Sequence, residues 1–332
     1  MLPLKLKDYI DSRDGSFLIT GPPGSGKTFL LTDLLEYLIN EKNYDPARIL
    51  VFCFNRRWAK ILRDMSAEKI NRSMPEIQIT SIYAFCTDLL ERIKSTYGMV
   101  RVLNAPARWR MLRDLIITDL DRKRYPISFK YLDYGLPVLN SFIQEVFDFI
   151  LRAQENLIKP GMMLDKFTAF TDPFLMELAG IYMNFVDELK KKDLYDYGRL
   201  LTDTLEILKN DPGARDAVKK KYDIMIVDEV QEVNRAQFEI IEYLKNKKCI
   251  YFGNDDECIY AFRGSKTGSF SEVFNLLKGG AENSENILQL KVNYRSHQVI
   301  DQICREFITR NRQRVEKESD RPEGPILTEK SN

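Results

Sequence analysis

One histidine, His297, serves a chain of 332 residues. With a single imidazole there is no H-E-x-x-H zinc site, and a Ser-His-Asp triad would have to use His297 itself. Cysteine is scarce too. Cys53, Cys86, Cys249, Cys258 and Cys304 are odd in number, widely spread and without a C-x-x-C pair. That argues against a disulfide framework and for a reduced compartment, read as the cytoplasm. There is no excess of either charge: 50 Lys+Arg against 49 Asp+Glu leave a net +1. This excludes a strongly basic histone-like protein and an acidic disordered tail. No apolar run approaches the ~20 residues that cross a bilayer, so no membrane partner is expected. The opening MLPLKLKDYI is broken by charges and makes a poor signal peptide. What remains is 44% hydrophobic and 30% charged, ordinary for a globular protein, and long enough for about two domains.

The organisation follows from hydrophobic period. Residues 16–20 (SFLIT), 49–54 (ILVFCF), 223–227 (DIMIV) and 249–252 (CIYF) are short apolar runs that read as buried parallel strands. Between them, Leu30, Leu31, Leu34, Leu35 and Leu38 fall on one helical face, and residues 57–71 look helical. Strand signals nearly vanish between residue 87 and residue 222. Helix-period positions such as Val138, Phe142, Ile143, Val146, Phe147 and Ile150 replace them. The pattern predicts an α/β domain with a parallel sheet, interrupted by an all-helical insert. The expected divisions are 1–91 plus 196–310, then 92–195, with the charged 311–332 as a linker.

Gly21-Pro22-Pro23-Gly24-Ser25-Gly26-Lys27-Thr28 fits G-x-x-x-x-G-K-[ST] and stands between a strand and a helix. The glycines let backbone N–H groups approach phosphate oxygens, and the helix N-terminus adds partial positive charge. Lys27 is the candidate for the β/γ-phosphates of ATP, and the Thr28 hydroxyl for Mg²⁺. The strand 223–227 ends in Asp228-Glu229. Asp228 is the candidate metal carboxylate, and Glu229 the candidate base that polarises an attacking water.

Further segments carry a family resemblance. Asp228–Glu232 (DEVQE) resembles the D-E-x-Q-D motif of UvrD/Rep/PcrA helicases of superfamily 1. Residues 49–59 (ILVFCFNRRWA) resemble the segment ILAVTFTNKAA, and 80–90 (TSIYAFCTDLL) resemble T-x-H-x-F. Residues 195–201 (YDYGRLL) resemble LDFDDLL, 253–265 (GNDDECIYAFRGS) resemble GDxDQSIYxFRGA, and Asn293–Ser296 read N-Y-R-S. The resemblance spans about residues 15–310 and implies a RecA-like P-loop motor domain with an inserted helical subdomain. It implies ATP-driven 3′–5′ translocation on single-stranded DNA, with unwinding at single-strand/duplex junctions by a monomer. By position, Tyr294 would stack on adenine and Arg295 would reach the γ-phosphate. Phe54, Tyr260 and Phe262 would face bases, where stacking contributes ~1–3 kcal/mol per base. From the residues alone, Phe54 and Phe262 read rather as core. Arg263 would touch a phosphate or link DNA to the ATP site, and Tyr83 stands where the family has His.

The chain also departs from the family. The adenine-reading glutamine would lie near Leu6, yet the first Gln is Gln78. A usually basic position holds Phe29, which either packs in the core, the favoured reading, or stacks on the base. Glu257 replaces a γ-phosphate-sensing Gln, and Asn254 replaces an Asp. A carboxylate beside a triphosphate is repelled unless protonated, turned away or bridged by metal, so Glu257 is expected to weaken ATP sensing. A second motor domain with an arginine finger would follow N-Y-R-S in the family, and 311–332 offer no candidate for it. Such arginines are worth about 10³–10⁵ in rate, so this chain alone is expected to bind ATP and DNA but to hydrolyse poorly. The alternative is a non-catalytic DNA-binding or regulatory module with a degenerate ATP site. Residues 92–130 hold ten Lys/Arg against three Asp, a net +7, interleaved with Trp109, Tyr125 and Phe129 and followed by Tyr131. That stretch is either a footprint for a nucleic-acid backbone or a solvated helix face.

Overall fold

The computed structural model describes residues 2–12, 14–70, 77–93, 99–119, 123–170, 172–259, 267–278, 283–311, 314–315 and 317. The chain divides into two compact units: Met1–Ile82 with Asp211–Asn234 and Ile241–Asn332, and Tyr83–Asn210 with Arg235–Ile240. The second unit extends beyond both ends of the 92–195 stretch expected to be helical.

The first unit is built on a six-stranded sheet of order β3-β2-β4-β5-β1-β6. The strands are β1 Gly15–Thr20, β2 Ile49–Cys53, β3 Gln78–Ser81, β4 Ile224–Val227, β5 Lys248–Gly253 and β6 Ile287–Gln289. Every pairing is parallel. This is the α/β, all-parallel sheet expected of a RecA-like P-loop domain. β2, β4 and β5 are buried at every position, which is why they read as unbroken apolar runs. The two edge strands escape the sequence reading. β3 alternates buried and half-buried residues, and β6 is half-buried throughout. Neither presents an apolar run.

Helix α1 is Leu4–Ser12, α2 Lys27–Glu36 and α3 Arg56–Lys69. α2 continues into a π-helical turn, Tyr37–Glu41. Its leucines 30, 31, 34 and 35, with Leu38 in that turn, are buried against the sheet. Phe29 lies off this stripe and is 64% exposed. The expectation that Phe29 packs in the core is therefore wrong. The fully buried Ile226 stands at the centre of the sheet core. Ile226→Ala is expected to destabilise this unit by about 3 kcal/mol, from lost transfer energy plus a cavity. Denaturant unfolding followed at Trp58 checks this, because the second tryptophan, Trp109, lies in the other unit.

The second unit is helical. Leu139, Phe142, Ile143, Val146 and Ile150 of helix Leu136–Glu155 pack with Leu178, Ile181, Phe185 and Leu189 of helix Pro173–Lys191. Val138, expected on this stripe, is exposed, and Leu139 takes the inner place. The basic stretch proves mixed. Arg108 is 5% exposed, its guanidinium 4.1 Å over the Phe147 ring and 3.9 Å from Asp196. It is not on a surface that meets phosphates. Tyr125 is buried in the core, and Trp109, Phe129 and Tyr131 pack against it. Arg92, Arg101, Arg110, Lys123, Arg124 and Lys130 are exposed. The aromatics are thus core residues, while a solvated cationic set remains. Among the described residues no helix is long and apolar enough to cross a membrane.

Candidate nucleotide site

In a parallel sheet all carboxyl ends open on one edge, and the loops after adjacent strands converge there. The order β4-β5-β1 brings together the ends of three strands. These carry Asp228-Glu229, Asn254–Glu257 and the glycine-rich loop respectively. They frame a cleft of about 950 Å³ lined by Gly24, Ser25, Gly26, Lys27, Thr28, Phe29, Trp58, Glu229, Glu257, Tyr294 and Arg295.

The loop needs its glycines. Gly24 (φ 79°) and Gly26 (φ 84°) are left-handed, a region costly for residues with a Cβ. A methyl group on Gly24 would lie 2.4 Å from Asn293 Oδ1 and 2.6 Å from Arg295 Cβ. Pro22 O accepts from Ser25 N–H at 3.1 Å and closes the turn, with Pro23 exposed at its tip. Lys27 opens α2, so the N–H groups of its first turn have no intrahelical acceptor. The Ser25 hydroxyl is buried and has no hydrogen-bond partner among the described residues. Open amides, an unpartnered hydroxyl and a cationic side chain together fit a phosphate chain.

Lys27 is 8% exposed. Its ammonium donates to Gly21 O (3.0 Å) and Pro22 O (3.4 Å), and reaches Glu257 Oε2 at 2.5 Å. Glu257 therefore sits on the lysine intended for phosphate. The turn that carries it is clamped from behind. Arg314 forks onto Asp256 at 3.0 and 2.8 Å, and Lys317 reaches both Asp255 and Asp256.

Asp228 is 4% exposed. Its Oδ1 accepts from the Glu229 N–H at 3.1 Å, and its Oδ2 accepts from the Trp58 indole at 3.0 Å. Burial, then the neighbouring Glu229 charge, push its carboxyl well above the ordinary carboxylate range, while the Trp58 donor opposes this. Glu229 is itself left-handed (φ 52°), a strain of order 1–3 kcal/mol that tends to mark functional positions. Burial and then Glu257 raise its pKa, and Gln231, Lys27 and Arg295 lower it. Gln231 ties two of the strand ends together. Its Nε2 donates to Glu229 Oε2 (2.6 Å) and its Oε1 accepts from Asn254 N–H (3.0 Å). Asn254 is fully buried and its Oδ1 accepts from Asp256 N–H.

The segment after β6 completes the cleft. Asn293 Oδ1 accepts from the N–H groups of Arg295 (3.0 Å) and Ser296 (3.2 Å), and Asn293 Nδ2 donates to Asp301 (2.8 Å). Tyr294 N–H donates to Gly24 O at 2.9 Å, and its ring, 63% exposed, lies beside Gly26. The structure thus gathers Gly24–Phe29, Glu229, Glu257, Tyr294 and Arg295 in one place, with Asp228 directly behind.

The expected DNA residues are less concentrated. Phe54 is half-buried just past β2, neither core nor fully open. Tyr83 packs its ring on Tyr197 with centroids 4.7 Å apart. Tyr260, Phe262 and Arg263 lie outside the described residues. Sequence reasoning missed Trp58 and Gln231 as site residues. The only available sign for Trp58 was that ILAVTFTNKAA has alanine at its place.

A family model described as UvrD/REP helicase N-terminal domain matches residues 5–277. The chain is similar to the ATP-dependent DNA helicase PcrA of Leuconostoc citreum, 25% identical over 316 residues, covering 94% of this chain and 40% of that protein. Similar too are the ATP-dependent DNA helicases PcrA of Staphylococcus aureus strain Mu50 (23% over 317 residues) and Staphylococcus epidermidis (24% over 319), each covering 93% of this chain and 40% of that protein. The chain therefore spans about 40% of the length of the curated relatives it matches. The family match runs over most of the chain and takes in β1 to β5, and the chain belongs to the UvrD/REP helicase family.

Proposed function

We propose that the chain is the ATP-binding motor half of a DNA helicase of the UvrD/Rep type. In this reading a motor domain of residues 1–91 plus 196–310 binds Mg²⁺–ATP and couples its binding and hydrolysis to 3′–5′ movement on single-stranded DNA. Duplex unwinding at single-strand/duplex junctions follows from that movement. The protein acts as a monomer in the cytoplasm, with the helical insert 92–195 appended and 311–332 leading to a second motor domain. The observation that carries the reading is one cleft holding Lys27, Arg295 and Glu229, with Asp228 behind it. The names of the similar helicases support it.

The reading assigns the roles residue by residue. The loop and Lys27 bind and orient the phosphates. Tyr294 offers an exposed ring to the base, and Phe29 a second one beside the loop. Thr28 and Asp228 would hold Mg²⁺, which neutralises charge between phosphate oxygens when bound. Glu229, half-buried and raised in pKa, would accept a proton from water. Arg295 adds positive charge to the cleft lining. DNA contacts are assigned to Phe54, Tyr83, Tyr260, Phe262 and Arg263.

The Lys27–Glu257 ion pair favours a second reading, in which a regulatory or DNA-binding module keeps the fold with a degenerate ATP site. Under the first reading the same pair makes this chain bind nucleotide and hydrolyse it slowly. Binding of a fluorescent ATP analogue with and without Mg²⁺, together with phosphate release with and without single-stranded DNA, separates the two. Mg²⁺-dependent binding with slow, DNA-stimulated release is expected. No release under any condition, whether nucleotide binds or not, overturns the first reading and supports the module.

A further inference from the structure

Trp58 has no part in the roles above, yet it joins two distant segments at the cleft. It stands in the first turn of α3, where Asn55 Oδ1 caps its N–H at 2.8 Å and fixes its backbone. Its ring packs against the sheet core and lines the cleft. Its indole N–H meets Asp228 Oδ2 at 3.0 Å, while Oδ1 is held by the Glu229 N–H at 3.1 Å. Each oxygen of this buried carboxylate therefore carries one fixed donor, and the plane of the group is set. An indole N–H is a donor only and cannot itself ligate a cation. One such donor uses only one of the two lone pairs of Oδ2, and together with the Glu229 N–H it resists rotation of the carboxylate.

We infer that Trp58 is a positioning residue for the divalent cation of the nucleotide site, acting through Asp228. This rests on the function proposed above. A neighbour that merely packed would not need its polar edge on the carboxylate. Nor is the ring generic at this place, since the segment ILAVTFTNKAA has alanine there.

Trp58→Phe in the full chain keeps an aromatic ring and removes the N–H. The probe is a fluorescent ATP analogue, titrated with Mg²⁺ and separately in EDTA. Losing a hydrogen bond to a charged group is expected to raise the Mg²⁺ concentration for half-saturation about 10-fold. Affinity in EDTA should change less than about twofold, because Trp58 makes no bond to the phosphate loop among those described. A Mg²⁺ requirement unchanged in W58F, or equal shifts with and without Mg²⁺, overturns the inference and leaves the proposed function standing. No Mg²⁺-dependent binding by the unaltered chain overturns both. A second measurement leaves Trp58 in place. In Trp109→Phe, Trp58 is the sole tryptophan, and its emission should respond to Mg²⁺–nucleotide but not to nucleotide in EDTA. An equal response to both overturns the inference.

Discussion

Lys27→Ala is expected to weaken Mg²⁺–nucleotide binding at least 100-fold and to abolish DNA-stimulated phosphate release. The lysine is a buried cation of the cleft lining, held there by the Gly21 and Pro22 carbonyls. Charge-assisted contacts to phosphate are roughly twice as strong as neutral ones, and a buried lysine makes them without competition from water. The substitution should leave the fold intact. It frees Glu257, whose side chain is 26% exposed and can rehydrate, so the stability change is expected to stay near 1 kcal/mol. Calorimetric titration with a slowly hydrolysed ATP analogue checks the binding, and thermal unfolding checks the fold. Retained tight binding would remove Lys27 from the site.

Glu257→Gln is expected to act in the opposite direction. In the structure the carboxylate and the ammonium form a 2.5 Å pair where phosphate is proposed to bind. An incoming triphosphate has to displace a carboxylate from Lys27. Gln keeps an acceptor for the ammonium and removes the charge. It also removes the charge next to Glu229, since Glu257 is the second cause, after burial, of the raised Glu229 pKa. Nucleotide affinity should rise about tenfold, equal to ~1.4 kcal/mol, and DNA-coupled turnover in the intact protein should rise with it. The gain should vanish in the Lys27→Ala background, because without the ammonium there is no pair to break. A gain that survives there would mean that Glu257 repels nucleotide directly and does not compete for Lys27.

The parts of this molecule that the sequence reveals are those written locally. The phosphate loop is eight consecutive residues whose spacing is itself the geometry. The four central strands are apolar runs because helices cover both faces of the sheet, whereas β3 and β6 are half-wet edges that carry no such mark. Phe29 misled for a related reason. It adjoins the leucine stripe of α2 in sequence, but the helix turns it to the solvent side. The basic stretch 92–130 could be counted but not oriented. Counting does not distinguish Arg108, buried against Phe147 and Asp196, from Arg110 on the surface. The Lys27–Glu257 pair spans 230 positions and the Trp58–Asp228 bond 170. Contacts of that separation exist only once the sheet order is known. Resemblance identified Glu257 as unusual, and the sheet shows what it touches.

The central claim is that the cleft and a DNA-binding surface belong to one coupled device. Fluorescence anisotropy of labelled single-stranded DNA tests it most directly, titrated with this chain with and without a Mg²⁺–ATP analogue and repeated with Lys27→Ala. The account predicts that nucleotide shifts DNA affinity, that Lys27→Ala abolishes the shift, and that affinity without nucleotide is unaltered by the substitution. DNA binding that is the same with and without a nucleotide known to be bound would contradict it.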